Sequence, residues 1–331
     1  MFKKSFGWAA AAALLWAAPV LAQSGFVSIG NGQQLFADYL PAAPGQRTLV
    51  ILNGLTYTTE SWDKIMPGLV GHGYGILRYD PKGMGRTLDK YGAPGEKIAI
   101  EAQADDLNRL LDALKIRGKV DLLGLSYGGG LAMVYASRYP ERVQAMILQA
   151  PYVKPVEGQD LWIRNQIAAT RIMYPFNPST DDELYDYFLH QIVYSTYPQA
   201  EPVVLRRPYT LEGVFRMVQG IRKIDATRLV QQFPAQSLHL MIGGRDQYIG
   251  RAVHDAFWDS VPNSVKMSRI VVEESEHKIP EATPKFAAGW VNLIMANDPR
   301  LAGGIAFDGS ARAGVARSGK VEIKLPKDSS W

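Results

Sequence analysis

Four short stretches of the chain, residues 48–52, 74–79, 120–125 and 143–149, are apolar at nearly every position and rich in β-branched or aliphatic side chains. Unalternated runs of this length are the pattern of strands buried on both faces of a parallel sheet. Between them the period changes. In residues 99–116, Ile100, Ala104, Leu107, Leu110, Leu111 and Leu114 recur every three or four positions with acids and amides between them, which predicts an amphipathic helix. Alternation of such strands and helices predicts an α/β fold: a mostly parallel sheet with helices on both faces. Ahead of these, residues 26–40 carry two alternating runs around Asn31-Gly32, a pair that supplies the positive φ angles of a two-residue hairpin turn.

The rhythm stops near Pro155 and resumes at 237–242 and 268–272, followed by a helical pattern over 281–296. The interval is helical in period and carries Trp162, Tyr174, Phe176, Tyr185, Tyr187, Phe188, Tyr194, Tyr197, Tyr209 and Phe215. It reads as a helical cap inserted at one end of the sheet, with most of these aromatics packing the cap and a minority walling an apolar pocket. The expected organisation is therefore a core of 23–154 and 233–298, a cap of 155–232, and a Gly-, Ala-, Arg- and Ser-rich tail of 299–331 expected to be loosely held.

Residues 1–22 place Lys3 and Lys4 before an apolar run, with Pro19 near its end and small-residue spacing at Val20-Leu21-Ala22. This is the order of a secretory signal peptide, so the mature protein is expected in the periplasm or outside the cell without a stable membrane anchor. The alternative, an uncleaved anchor, would rest on about 17 apolar residues, the short limit for a spanning helix. Cleavage removes two lysines and no acids, which takes the formal charge from +4 to +2 and leaves no electrostatic case for a nucleic-acid partner. The 331 residues include no cysteine, so disulfide scaffolds, thiolate metal sites and thiol catalysis are excluded together. A core built from 47% hydrophobic residues must hold the fold unaided.

The candidate chemistry sits at strand ends. Gly124-Leu125-Ser126-Tyr127-Gly128 fits G-x-S-x-G, with a strand before it and the helix-compatible LAMVYASRY after it. A sharp strand-to-helix turn needs small residues beside the nucleophile so that backbone and helix do not collide. A serine hydroxyl also needs a base and a group that orients the base. Of five histidines, His72 precedes a strand, His190 lies in the insertion, His239 is inside an apolar strand and His254 is on a predicted helix. Only His277 stands in a loop just past the last strand of the core, where open α/β sheets present their functional loops. Asp246, in MIGGRDQYIG, is likewise just past a strand.

The order Ser126, Asp246, His277 resembles that of the α/β-hydrolase family, with the similarity running over residues 27–296. The segment LNGLTYTTESW is similar to the family's His-Gly turn after the third strand, with Asn53 in place of the more usual histidine. By that resemblance the oxyanion hole is assigned to the backbone N–H groups of Leu55 and Tyr127. YDPKGMGRT resembles the family's Asp-x-x-Gly-x-Gly turn, with Asp80 expected to be loop scaffolding and Lys82 and Arg86 available to an acidic substrate. The resemblance implies a serine hydrolase that cleaves an ester or related acyl bond of a small, apolar substrate, with neither metal nor organic cofactor, and residues 1–22 imply its export. The same triad also serves lactonases, thioesterases and carbon-carbon bond hydrolases, and two other readings remain. One is a prolyl-aminopeptidase-like enzyme using Glu183, Glu201 or Glu212 to hold an amine; the other is a catalytically silent binding protein on the same scaffold.

Three further patterns carry no function. Gly314 to Lys320 spells G-x-x-x-x-G-K but is followed by Val321 instead of Ser or Thr. Gly83-Met84-Gly85 lacks the third glycine of a dinucleotide fingerprint. The acids between Glu273 and Glu276 read as a solvated loop and not as a metal site.

Overall fold

A computed structural model describes residues 22–200, 207, 209–312, 315–318 and 321–328. The expected signal peptide, apart from Ala22, lies outside the described residues. Strands β1 (Gln23–Gly30) and β2 (Gln33–Leu40) form the expected antiparallel hairpin. Its turn has φ 53° at Asn31 and 70° at Gly32. Then follow β3 (Thr48–Leu52), β4 (Gly75–Asp80), β5 (Val120–Leu125), β6 (Val143–Gln149), β7 (Leu238–Gly243) and β8 (Lys266–Val272).

The chain after 299 departs from expectation: it is not a loose tail where it is described. Residues Ile305–Ser310 form β9, parallel to β8, and Val315–Ser318 (β10) and Val321–Lys324 (β11) continue the sheet antiparallel. Leu301, Phe307, Ala311 and Leu325 are buried in the core. A few apolar side chains spaced through a polar segment suffice to close one edge of the sheet, and the surrounding glycines and arginines conceal them in a compositional reading. The resulting strand order is β1-β2-β4-β3-β5-β6-β7-β8-β9-β10-β11. All members from β3 to β9 run parallel, and the order reverses around β3. Ligands of such sheets bind beyond the carboxyl ends of strands at this reversal.

Alternate side chains of each strand feed two separate cores. Val50 and Leu52 join Leu122 on one face with α3 (Ile100–Ala113), α4 (Tyr127–Arg138) and α8 (Arg251–Ser260). Leu49 and Ile51 join Leu123 and Leu125 on the other with α1 (Met66–Leu69) and α10 (Pro284–Met295). The last helical pattern is in fact two helices, α9 (Ile279–Ala282) and α10, broken at Thr283. Thr283 precedes Pro284, whose ring disfavours helical ψ in the residue before it.

A short helix α2 (Gly85–Tyr91) follows β4. Between β6 and β7 the chain inserts α5 (Glu157–Met173), α6 (Asp181–Ala200) and α7 (Thr210–Ile221). These helices bury a small core of their own, including Ile163, Leu189, Val193, Val214 and Phe215. Among the described residues no helix is long and apolar enough to cross a membrane.

Candidate active site

Ser126 is the hinge between β5 and α4. Its backbone is at φ 51° and ψ −115°, a conformation that non-glycine residues adopt only when the surroundings over-determine it. The surroundings do so. Ser126 N–H donates to the Gln149 carbonyl at 3.0 Å, and its own carbonyl accepts from Gly130 N–H at 3.1 Å and Tyr152 N–H at 2.8 Å. The flanking glycines are steric requirements: a Cβ on Gly124 would lie 2.4 Å from the Gly128 carbonyl oxygen, and one on Gly128 would lie 2.1 Å from that of Leu52.

Asp246 and His277 come from the loops after β7 and β8. A Cβ at Gly243 would meet the Glu276 carbonyl oxygen at 2.4 Å, and one at Gly244 would meet that of Glu273 at 2.6 Å. The glycine pair thus lets the two loops lie backbone against backbone. His277 Nδ1 is then 2.8 Å from Asp246 Oδ2, while Oδ1 accepts from Tyr248 N–H at 2.8 Å and Ile249 N–H at 3.0 Å. Burial alone would push the Asp246 carboxyl pKa up. The hydrogen bond and charge of His277, with the Ile249 and Tyr248 amides, outweigh it and hold the group below the usual carboxylate range. An ionised carboxylate only accepts, so Nδ1 carries a hydrogen, and in the neutral imidazole the lone pair is then on Nε2.

Ser126 and His277 line one cavity of about 490 Å³. Its walls are largely apolar: Leu55, Val156, Ile192, Val193, Val218 and Ile221 contribute, most of them from the inserted helices. Of the insertion's aromatics, Trp162 and Tyr197 reach it. No Asp or Glu is among the described residues of the lining.

The two residues expected to supply the oxyanion hole lie near Ser126 in different ways. Leu55 lines the cavity, and Tyr127 opens α4, where a backbone N–H has no acceptor within the helix. Asn53 fixes the loop of Leu55 from beneath. Its side-chain NH2 donates to the Tyr79 carbonyl at 3.0 Å and to Asp80 at 3.4 Å, while its oxygen accepts from the Trp62 indole at 2.8 Å. Asp80 accepts from the backbone of Thr59 at 2.8 Å and Arg86 at 2.9 Å, and burial pushes its pKa up to about 6. This is the scaffolding expected of it.

Several sequence candidates are spent elsewhere. Lys82 pairs with Asp106 and the Arg86 side chain with Glu60, and neither cation lines the cavity. Glu183 accepts from Thr180 at the start of α6, and Glu212 is engaged by Tyr194 and Arg216. Glu201 lies outside the described residues. His239 meets Ser268 at 2.6 Å in the core, and burial brings its pKa down to about 3. His72 stacks on Tyr74, and His190 on Tyr194. Among 273–276, Glu274 accepts from Arg312 N–H, and no metal-binding cluster of three or more acids and histidines occurs among the described residues. Residues 315–318 of the G-x-x-x-x-G-K stretch are strand β10, and its glycines lie outside the described residues.

Sequence reasoning missed Tyr57, Gln247, Tyr248 and Lys278. Tyr57 donates its hydroxyl to Glu281, and the Tyr248 ring sits 5.1 Å from that of His277. Proximity to Asp246 and His277 in the chain was the available signal for three of them.

A family model described as alpha/beta hydrolase fold matches residues 47–213. The chain is 34% identical over 88 residues to a 2-hydroxy-6-oxo-2,4-heptadienoate hydrolase of Pseudomonas putida, covering 27% of this chain and 30% of the relative. It is 30% identical over 126 residues to a non-heme chloroperoxidase of Streptomyces lividans, covering 38% and 43%. The matched segments span less than half the length of these curated relatives. Among solved structures, an esterase of Thermogutta terrifontis superposes with a TM-score of 0.59 at 19% identity, covering 83% of this chain and 99% of that one.

Proposed function

From the premise that the chain belongs to the alpha/beta hydrolase fold family, we propose that it is an exported serine hydrolase that cleaves an ester or related acyl bond of a small apolar substrate. One observation carries the reading: a serine held at φ 51° shares an apolar cavity with a histidine whose Nδ1 is bonded to a buried carboxylate. In this mechanism His277 Nε2 takes the Ser126 proton as Oγ attacks the carbonyl carbon. The Leu55 and Tyr127 N–H groups stabilise the charge that develops on the carbonyl oxygen. His277 returns the proton to the leaving alkoxide, which departs as the alcohol. Water, deprotonated by His277, then attacks the acyl carbon, and His277 gives the proton to Ser126 Oγ as the acid leaves, while Asp246 orients the imidazole and stabilises the imidazolium. Export rests on the order of residues 1–22.

The described cavity lining includes no acid, and Glu183 and Glu212 are engaged elsewhere, so the peptidase reading rests on Glu201, which lies outside the described residues. The test is labelling of the purified protein with a fluorophosphonate, peptide mapping of the adduct, and turnover of p-nitrophenyl esters of rising chain length. Labelling at Ser126, abolished in Ser126→Ala together with ester turnover, is expected. A folded protein that resists the probe would leave the binding-protein reading standing. Labelling without ester turnover would keep the triad and reject the ester.

A further inference from the structure

His254 is fully buried on α8 and has no part in the mechanism above. Its Nε2 lies 3.1 Å from the Pro151 carbonyl oxygen, and its Nδ1 is buried without a partner among the described residues. A carbonyl can only accept, so Nε2 carries the hydrogen. Burial holds the imidazole below the usual histidine range against the opposing pull of the Pro151 carbonyl and Asp246, which keeps that neutral tautomer in place. Leaving the other nitrogen unsatisfied in the interior is costly, and such a group calls for a reason.

The reason lies in what the bond joins. Residues 149–152 form the support of the nucleophile turn: the Gln149 carbonyl receives Ser126 N–H and Tyr152 N–H binds the Ser126 carbonyl. Ala150 between them is itself at φ 41°, with its N–H tied to the Met241 carbonyl at 2.9 Å. Pro151 is pressed against the first turn of α4, where a Cβ at Gly129 would come within 2.6 Å of the proline Cβ. On the other side, α8 starts directly after the Asp246 loop: Asp246 binds the amides of Tyr248 and Ile249, and the helix opens at Arg251.

We propose that His254 is a positioning residue whose hydrogen bond to Pro151 ties the acid-bearing loop to the serine-bearing turn and so sets the approach of His277 to Ser126. The inference rests on the serine-hydrolase reading. A displacement of about 1 Å between reacting groups costs on the order of a hundredfold in rate, so loss of the tie is read in the chemistry and not only in stability.

The experiment compares His254→Gln, His254→Asn and His254→Phe with wild type. It reads the rate of Ser126 phosphonylation by a fluorophosphonate, kcat and KM for p-nitrophenyl acetate, and Tm, with rates taken well below each Tm. Gln carries an amide nitrogen at about the reach of Nε2 and keeps the donor; Asn reaches only as far as Nδ1, and Phe fills the space without a donor. The expected result is a loss of ~10-fold or more in phosphonylation rate and kcat for Asn and Phe, with KM nearly unchanged, and near-wild-type rates for Gln. If Phe does not fold, Asn against Gln decides. Lowered Tm with unchanged phosphonylation in the folded Asn or Phe variant would overturn the proposal and leave His254 a packing residue. Failure of wild type to label at Ser126 would instead overturn the serine reading, and this proposal with it.

Discussion

At the scale of single residues, the site depends on conformations and protonation states that one atom can reverse. Asp246→Asn is the sharpest case. The amide oxygen can still accept from the Tyr248 and Ile249 N–H groups, but its NH2 then faces His277 Nδ1. Two donors cannot share that contact, so the imidazole turns to the tautomer with its hydrogen on Nε2 and loses its lone pair toward Ser126. A fall in kcat of about 10⁴-fold is expected, with thermal unfolding shifted little; retention of activity within tenfold would remove Asp246 from the triad. Ser126 shows the complementary principle. Its strained φ is imposed by three backbone hydrogen bonds and by glycines that have no room for a side chain.

At the scale of elements, α7 is the inserted helix most closely seated on the core. A Cβ on Gly220 would lie 1.8 Å from the Ile98 carbonyl oxygen, and one on Gly213 would lie 2.3 Å from that of Gly83. The Ile98 N–H also donates to the Arg216 carbonyl at 2.9 Å. Replacing a helical glycine by alanine ordinarily stabilises by about 1 kcal/mol. Here the backbone clash reverses the sign, because α7 must lift away to admit the methyl group. Val218 and Ile221 on the same helix line the cavity. Gly220→Ala is therefore expected to lower Tm and to raise KM for long-chain esters more than for acetate; equal KM changes across chain length would show that the seat does not shape the cavity.

At the scale of the molecule, two features tie distant parts of the sequence into one cooperative unit. The first is the sheet extension after residue 299. Phe307 on β9 is buried against Trp290 of α10 with ring centroids 5.7 Å apart, edge to face. Phe307→Ala is expected to cost about 3–5 kcal/mol in urea unfolding, whereas a residue of a loose tail would cost almost nothing. The second is Asp121, buried on β5. Its Oδ2 accepts from Arg47 Nε at 2.7 Å, and Arg47 also reaches the Met295 carbonyl at 3.2 Å. Burial nevertheless pushes the Asp121 pKa up to about 6 from the ordinary 3.8. The folded state then binds this proton more tightly than the unfolded chain does, so the contribution favours folding at low pH and is lost as pH rises from about 4 to 6. Asp121→Asn removes up to about 3 kcal/mol of that decline. Urea titrations at several pH values in this window are expected to show a flatter profile for the variant, and coincident profiles would refute the assignment.

The sequence by itself determined the elements whose signal is local. Unalternated apolar runs marked β3 to β8 because strands buried on both faces have no polar side to show, and Asn31-Gly32 marked the hairpin because few other pairs accept its two positive φ angles. Ser126 was legible for the same reason: glycines on either side of a serine, between a strand and a helix, record a steric requirement at one point of the chain. Asp246 and His277 were legible as residues just past strands, and their order in the chain matched a known arrangement. Only the tertiary structure decided that their side chains meet at 2.8 Å, through a loop contact that Gly243 and Gly244 permit. It also decided that Trp162 and Tyr197 line the cavity while Tyr185 packs in the insertion, that His254 joins α8 to Pro151, and that residues after 299 extend the sheet. Each of these depends on which surface a segment meets, and periodicity reports only that a segment has a surface to bury.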